Sequence, residues 1–181
     1  MVEEKENLEL RVSGQTNPFR LSVRLLQAVR DKQPVSLIGI GHLATSAMLR
    51  AMIEANKVLD GQGVDELLWT IPEFVEGDTP ETICVFMSIY THKPPVSSLF
   101  LVDDRIEPSK LLGQITKSLE DQPKQTYLMA KSSQAAYAAV KSLIYLNDKM
   151  AEVASDERAY LIPSDQKEIL LTVQIRQMPE V

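Results

Sequence analysis

SLIGIGHLATSAMLRAMIEAN, residues 36–56, is an apolar run, a G-x-G-x-x-A turn (Gly39-Ile40-Gly41-His42-Leu43-Ala44) and then a helical pattern. Strand, glycine turn and helix in that order spell the fingerprint of a dinucleotide-binding unit. The surrounding sequence argues against that reading. Such a turn follows the first strand of its unit, whereas Leu8, Leu10 and Val12 alternate with Glu9 and Arg11 to make an earlier strand. An acidic residue about 20 positions further on should end the next strand and hold a ribose. Asp60 has the spacing but falls at the end of the helix. The glycines are instead expected to let a central strand turn sharply into a helix packed close to the sheet. Small residues on that helix, Ala44, Ala47, Met48, Ala51, Met52 and Ala55, fit such an approach.

Working outward, Asn17 is a good N-cap and Pro18 suits a first helical position. The helix they open runs to about Arg30, with Phe19, Val23, Leu26 and Val29 on one face. ELLWTIP and TICVFMSIY read as two strands, joined by an acidic hairpin loop that carries Glu73, Glu76, Asp78 and Glu81. THKPPVSS then reads as a linker. Beyond it the order recurs: strand SLFLV, helix EPSKLLGQITKSLE, strand QTYLMA, an alanine-rich helix, and strands RAYLIP and EILLTVQI. A shift of 90 residues lays Pro18 on Pro108, Leu21 on Leu111 and Asp31 on Asp121; one residue more lays Ile71-Pro72 on Ile162-Pro163. The pattern is that of a tandem duplication of one β-α-β-α-β-β unit, with domains at 1–93 and 94–181. The second copy puts Ala130-Lys131-Ser132-Ser133 in place of the glycine turn.

The first half resembles the stage V sporulation protein S family of small bacterial proteins with the Alba-like fold. The resemblance runs along LRVSGQTNPFRLSVRLLQAVRD, IGIGHLATSAMLRAMIEAN and GVDELLWTIPEF. Its most telling residues are Val12-Ser13, Gly39-x-Gly41, Gly63-Val64-Asp65 and Ile71-Pro72-x-Phe74. It implies an α/β sandwich of two Alba-like units, each a four-stranded mixed sheet with two helices on one face. It also implies DNA or RNA binding through the loop after strand one, the turn before helix two and the arm between strands three and four. Dimers are usual in that superfamily, and a tandem copy would supply a pseudo-dimer within one chain.

The residues available for that role are Ser13, Gln15 and Asn17 in the first loop, Gly41 and His42 at the second turn, and Arg20 and Arg24 one turn apart on the first helix. In the second copy they are Lys110, Lys131 and Ser132, with Asp103-Asp104-Arg105 less suited. Backbone N–H groups at a helix start favour an anion. The acidic arm would repel one, and the net charge of −6 works against strong non-specific binding. Residues 1–94 and 95–181 carry −4 and −2, so neither half is basic. Trp69, Phe74, Phe86, Tyr90, Tyr127 and Tyr160 could stack on bases. Burial, or contact between the copies, is the competing reading, and Trp69, Phe74 and Tyr160 are taken as interface residues.

The two histidines, His42 and His92, lie far apart, and the one cysteine, Cys84, sits in an apolar run. No Cys/His cluster has metal-ligand spacing, and no nucleophile elbow or phosphate loop occurs. The expectation is therefore a non-enzymatic protein with no catalytic residue, metal, cofactor or small-molecule substrate. No apolar run approaches the roughly 20 residues needed to span a membrane, and a cytoplasmic location without membrane partners is expected. The leading function is nucleic-acid binding or nucleic-acid-linked regulation. The alternative is a protein-interaction or self-association module that has lost nucleic-acid binding.

Overall fold

In a computed structural model the residues described are 6–63, 67–74, 82–90, 98–120, 125–165 and 168–178; for 82–90, 98, 99 and 165 the description covers backbone alone. The hairpin residues Glu76, Asp78 and Glu81, the linker residues His92, Pro94 and Pro95, the 93/94 boundary, Val64, Asp65, Asp121 and the side chains of Cys84, Phe86 and Tyr90 fall outside it.

The elements in chain order are β1 (Leu8–Val12), α1 (Pro18–Arg30), β2 (Val35–Ile40), α2 (Gly41–Gly61), β3 (Leu67–Phe74), β4 (Thr82–Tyr90), β5 (Ser98–Val102), α3 (Pro108–Glu120), β6 (Gln125–Ala130), α4 (Ser133–Glu152), β7 (Glu157–Asp165) and β8 (Ile169–Gln177). The β-α-β-α-β-β order thus occurs twice. The eight strands are not two separate four-stranded sheets, as the sequence suggests. They join into one, ordered β1-β2-β4-β3-β7-β8-β6-β5. The junction is antiparallel, at the pair Thr70↔Leu161.

Alternation along the strands sorts the two faces. Leu10, Val12, Val35, Leu37 and Leu68 of the first half, with Val102, Leu128, Ala130, Ala159, Leu161, Leu171 and Val173 of the second, share one buried cluster with the four helices. The helix layer runs α1-α2-α4-α3, so α2 and α4 meet above the junction. On the opposite face Trp69, Tyr160 and Ile162 form a second cluster with Leu67 and Ile71. The rings of Trp69 and Tyr160 lie 4.7 Å apart and tilted.

Helix α1 starts as its sequence dictates. Asn17 Oδ1 accepts from the Arg20 N–H at 3.1 Å, and Pro18 fills the first position, where its missing N–H costs nothing. The side it buries is Leu21, Ser22, Leu25 and Ala28. Leu26 and Val29 are partly buried at its margin, while Phe19 and Val23 stay in solvent. The stripe from Phe19 to Val29 is therefore not the core face of this helix.

The junction rests on two matching arrangements. Asn56 of α2 donates from Nδ2 to the Leu68 carbonyl at 3.1 Å and accepts the Leu68 N–H at 2.6 Å. Asn147 of α4 does the same for Ala159, at 2.9 and 2.7 Å, and also reaches the Pro72 carbonyl at 3.4 Å. Continuing the register of Thr70↔Leu161 sets Leu68 opposite Pro163 and Ala159 opposite Pro72. A proline has no N–H to give to a neighbouring strand. Each proline thus leaves the facing carbonyl without a donor, and a helix asparagine serves that carbonyl together with the N–H of the same residue. Truncation to Ala would strand a buried N–H and a buried C=O at a time, each costing about 1–3 kcal/mol. Asn56→Ala and Asn147→Ala should each lower unfolding stability by about 2–4 kcal/mol in urea titrations, where an exposed Asn would cost a few tenths.

Candidate nucleic-acid interface

The glycine turn has a packing explanation. A Cβ at Gly39 would lie 2.5 Å from Met48 Cε, 2.8 Å from Ala44 Cβ and 2.8 Å from the Val12 carbonyl oxygen. No side chain fits between β2, β1 and the start of α2. Gly41 has open space around its Cα but a φ of +78°, a conformation open to glycine at little cost. Gly39→Ala should therefore destabilise the fold by about 1–3 kcal/mol through overpacking, and Gly41→Ala by about 1–2 kcal/mol through backbone strain alone. Thermal unfolding with no added nucleotide checks both.

The loop after β1 and the turn before α2 meet. A Cβ at Gly14 would come 2.7 Å from Leu43 Cβ, so the two segments touch through glycine. The loop is largely self-bonded. The Ser13 N–H donates to Thr16 Oγ1 at 2.9 Å, the Thr16 N–H to the Ser13 carbonyl at 3.0 Å, and the Gln15 N–H to Ser13 Oγ at 3.3 Å. Ser13 and Asn17 thus shape the loop and cap α1. Gln15, Arg20 and Arg24 are exposed around them, and Gly41 and His42 are half-exposed. Ile40, at the N-cap position of α2, supplies no side-chain hydrogen bond, so the first N–H groups of α2 have no side-chain cap.

The corresponding place in the second half is arranged differently. Ser132 caps α4, accepting from the Ala135 N–H at 3.0 Å, and its hydroxyl also donates to the carboxylate of Asp104. A carboxylate from the loop between β5 and α3 is thereby held beside the start of α4, where the helix favours negative charge. Asp103 Oδ1 accepts from the Arg105 N–H at 2.8 Å. Lys131 is exposed, and Lys110 stands in a loose surface pair with Glu107 at 3.6 Å.

The ten residues that the sequence offers for nucleic acid form two groups, not one. β2 and β3 both pair antiparallel with β4, and β1 is parallel to β2. Likewise β5, β6 and β7 share a direction. Since β3 and β7 are antiparallel, the strand ends that carry Ser13, Gln15, Asn17, Arg20, Arg24, Gly41 and His42 point one way. Those that carry Lys110, Lys131 and Ser132 point the other.

The three residues taken as interface lie between the halves. Trp69 and Tyr160 face each other across the junction, and the Phe74 ring is 6.0 Å from that of Tyr145 on α4. Trp69 and Tyr160 are buried, and the Tyr160 hydroxyl donates to Gln174, which in turn donates to Gln125 at 2.7 Å. Gln125 donates onward to the Tyr127 hydroxyl at 2.9 Å. Burial pushes the Tyr160 phenol above its ordinary range, and the Arg176 guanidinium lies 5.5 Å from its ring centre. These rings are committed to the sheet.

Two exposed residues near the first group escaped the sequence reading. Phe19 is 67% exposed, and with Asn17, Pro18, Arg50, Ile53, Glu54, Glu168 and Ile169 it lines a groove of about 400 Å³. Arg50 sits on the exposed side of α2. The signal for Phe19 was its offset from the Leu21–Leu25–Ala28 stripe; the signal for Arg50 was a single charge in an otherwise apolar helix segment.

At the end of β3, partial burial raises the Glu73 carboxyl above its ordinary value; Asp148 adds to the effect and Arg158 opposes it. A raised folded-state value means that the folded protein holds the proton more tightly than the unfolded chain. The favourable contribution is full below the ordinary carboxylate value near 4.5 and is lost as pH rises through the folded one. Glu73→Gln should therefore melt higher than the parent at pH 7, with the gap closing by about pH 4. Melting curves across that range check the sign.

Among the described residues no group of three or more His, Cys, Asp or Glu is placed to hold a metal, and no helix is long and apolar enough to cross a membrane. The family model of stage V sporulation protein S matches residues 8–90. No curated protein matches the chain.

Proposed function

We propose that the half matching a sporulation-protein family binds nucleic acid, that the protein is a non-enzymatic regulator acting in that way, and that its two halves are a tandem pair of Alba-like units. The recurrence supports the tandem reading. Asn56 and Asn147, Trp69 and Tyr160, Pro72 and Pro163, and Thr70 and Leu161 are each separated by the same interval; the asparagines make the same contacts, and Trp69 with Tyr160 and Thr70 with Leu161 meet across the junction. The observation that carries the function is the meeting of the first loop with the α2 turn. It brings Gln15, Gly41, His42 and the start of α2 together, and exposed Arg20 and Arg24 stand on α1, the helix that the same loop opens. Backbone donors and the helix field suit a phosphate, and the two arginines supply charge.

The first half is the binding half in this reading. At the start of α4 the place a phosphate would take beside α2 is already served by Asp104 through Ser132. Lys110 and Lys131 face the opposite end of the sheet and stand near Glu107 and the acidic Asp103-Asp104 loop. A second reading, a protein-interaction module, is favoured by the net charge of −6 and by this occupied second end.

A salt titration of binding to short DNA and RNA separates the two. Under the first reading log K falls linearly with log salt. Replacing Arg20 and Arg24 together by Gln should make that slope shallower by about 2, roughly one for each phosphate that is no longer neutralised. Replacing Lys110 and Lys131 should leave it nearly unchanged. No binding at low salt would remove the nucleic-acid reading and leave the protein-interaction one.

A further inference from the structure

The two halves build the same helix at the same place with different surfaces. On α1 the exposed residues include Phe19, Arg20, Val23, Arg24 and Arg30, and the helix has no acidic residue. Phe19 and Val23 are 67% and 52% exposed and lie one turn apart. Arg20 and Arg24 form a parallel row beside them, since each follows its apolar neighbour by one position. On α3 the positions 90 residues on are Ser109, Lys110, Gly113, Gln114 and Glu120, all exposed. The buried sides agree: Leu21 and Leu25 of α1 correspond to Leu111 and Ile115 of α3. The fold is thus satisfied by Ser and Gly where α1 carries Phe and Val. An exposed aromatic ring beside a row of cations is not needed to make the helix.

We infer that α1 is a platform for single-stranded nucleic acid, with one base stacked on Phe19 and the neighbouring phosphates on Arg20 and Arg24. This rests on the nucleic-acid reading of the same end of the sheet and adds the form of ligand. A base in a duplex has both faces covered by its neighbours, and a ring must pry a step apart, at a cost in stacking energy, to reach one, so a protruding ring favours an unpaired strand. The groove next to Phe19 contains Arg50 but also Glu54 and Glu168. Those carboxylates keep a phosphate backbone on the outer, Arg20–Arg24 side and leave the groove to an uncharged base. The α3 surface, with Ser109 and Glu120 in place of Phe19 and Arg30, offers no second platform, so each chain takes one strand.

The test compares a fluorescein-labelled oligothymidylate of about 12 nucleotides with a duplex of equal length, by anisotropy on the full-length protein at roughly 50 mM salt. The single strand should bind more tightly, at one strand per chain. Phe19→Ala should weaken it by about 5- to 100-fold and leave duplex affinity unchanged, while Phe19→Trp retains it. Both variants alter an exposed side chain and should melt with the parent. Equal affinity for strand and duplex, or a preference for the strand that survives Phe19→Ala, would overturn the inference and leave general nucleic-acid binding standing. Failure of every oligonucleotide to bind, including when a glutamate-rich amphipathic peptide binds instead, would overturn both.

Discussion

The architecture depends on how two strands that each carry a proline are made to lie side by side. Pro72 and Pro163 cannot donate to a neighbour, and among the described residues the pairing of β3 with β7 comes down to Thr70↔Leu161. An ordinary ladder would satisfy the flanking backbone groups strand to strand. Here Asn56 and Asn147 reach down from α2 and α4 to Leu68 and Ala159. The junction therefore binds sheet to helix as much as strand to strand. It also explains why α2 and α4 sit next to each other, since each must stand over the junction to deliver its asparagine. Trp69 against Tyr160 closes the other face. A sheet joined by one backbone pair is held by the layers above and below it.

Much of this was legible in the sequence, and what was not has physical causes. The order of elements follows from periodicity and from Asn-Pro at a helix start, and the observed bounds differ from it by one or two residues at most ends. The repeated Ile-Pro was visible as a correspondence, but its consequence was not. Whether a strand with proline is an edge or pairs across a junction depends on which side its N–H would have faced. Nor did Asn56 stand out, because a polar residue in an apolar helix reads as a solvent-facing break. Its burial depends on a carbonyl and an N–H brought to it by β3. Phe19 shows the opposite error: apolar spacing alone assigns it with Val23, Leu26 and Val29, yet the core side lies one position over, at Leu21, Leu25 and Ala28. Two overlapping apolar stripes on one helix cannot be ranked without knowing where the sheet is.

The glycine turn illustrates how one motif serves unrelated ends. G-x-G-x-x-A lets a backbone approach a pyrophosphate in a dinucleotide site. In this chain the same absence of side chain at Gly39 lets α2 descend onto β1 and β2, with the Val12 carbonyl and Ala44 filling the space. The second half confirms that the demand is local. With no glycine in Ala130-Lys131-Ser132-Ser133, α4 starts later, from a serine cap, and takes Asp104 as its neighbour. Sequence pattern identified the strand–turn–helix correctly; the use of the turn was decided by what stands next to it.

The antiparallel junction also constrains what the protein can do with its two ends. Each unit points its helix starts away from the other, so basic residues of the two halves cannot pool on one surface however many there are. The halves meet at the groove beside Phe19, where Glu168 and Ile169 of the second join Asn17, Phe19 and Arg50 of the first, and what they add there is a negative charge, not a cation. At one end the start of α2 lacks a side-chain cap, and α1 carries exposed Arg20 and Arg24. At the other an internal carboxylate stands beside the helix start, Lys131 is exposed, and Lys110 is loosely paired with Glu107. A negative total charge is then no argument against a local anion site at the first end, because exposed charges more than about 10 Å away are largely screened at ordinary ionic strength. The field that a phosphate meets there is set locally, by Arg20 and Arg24 and, in the groove beside Phe19, by Arg50, Glu54 and the second half's Glu168.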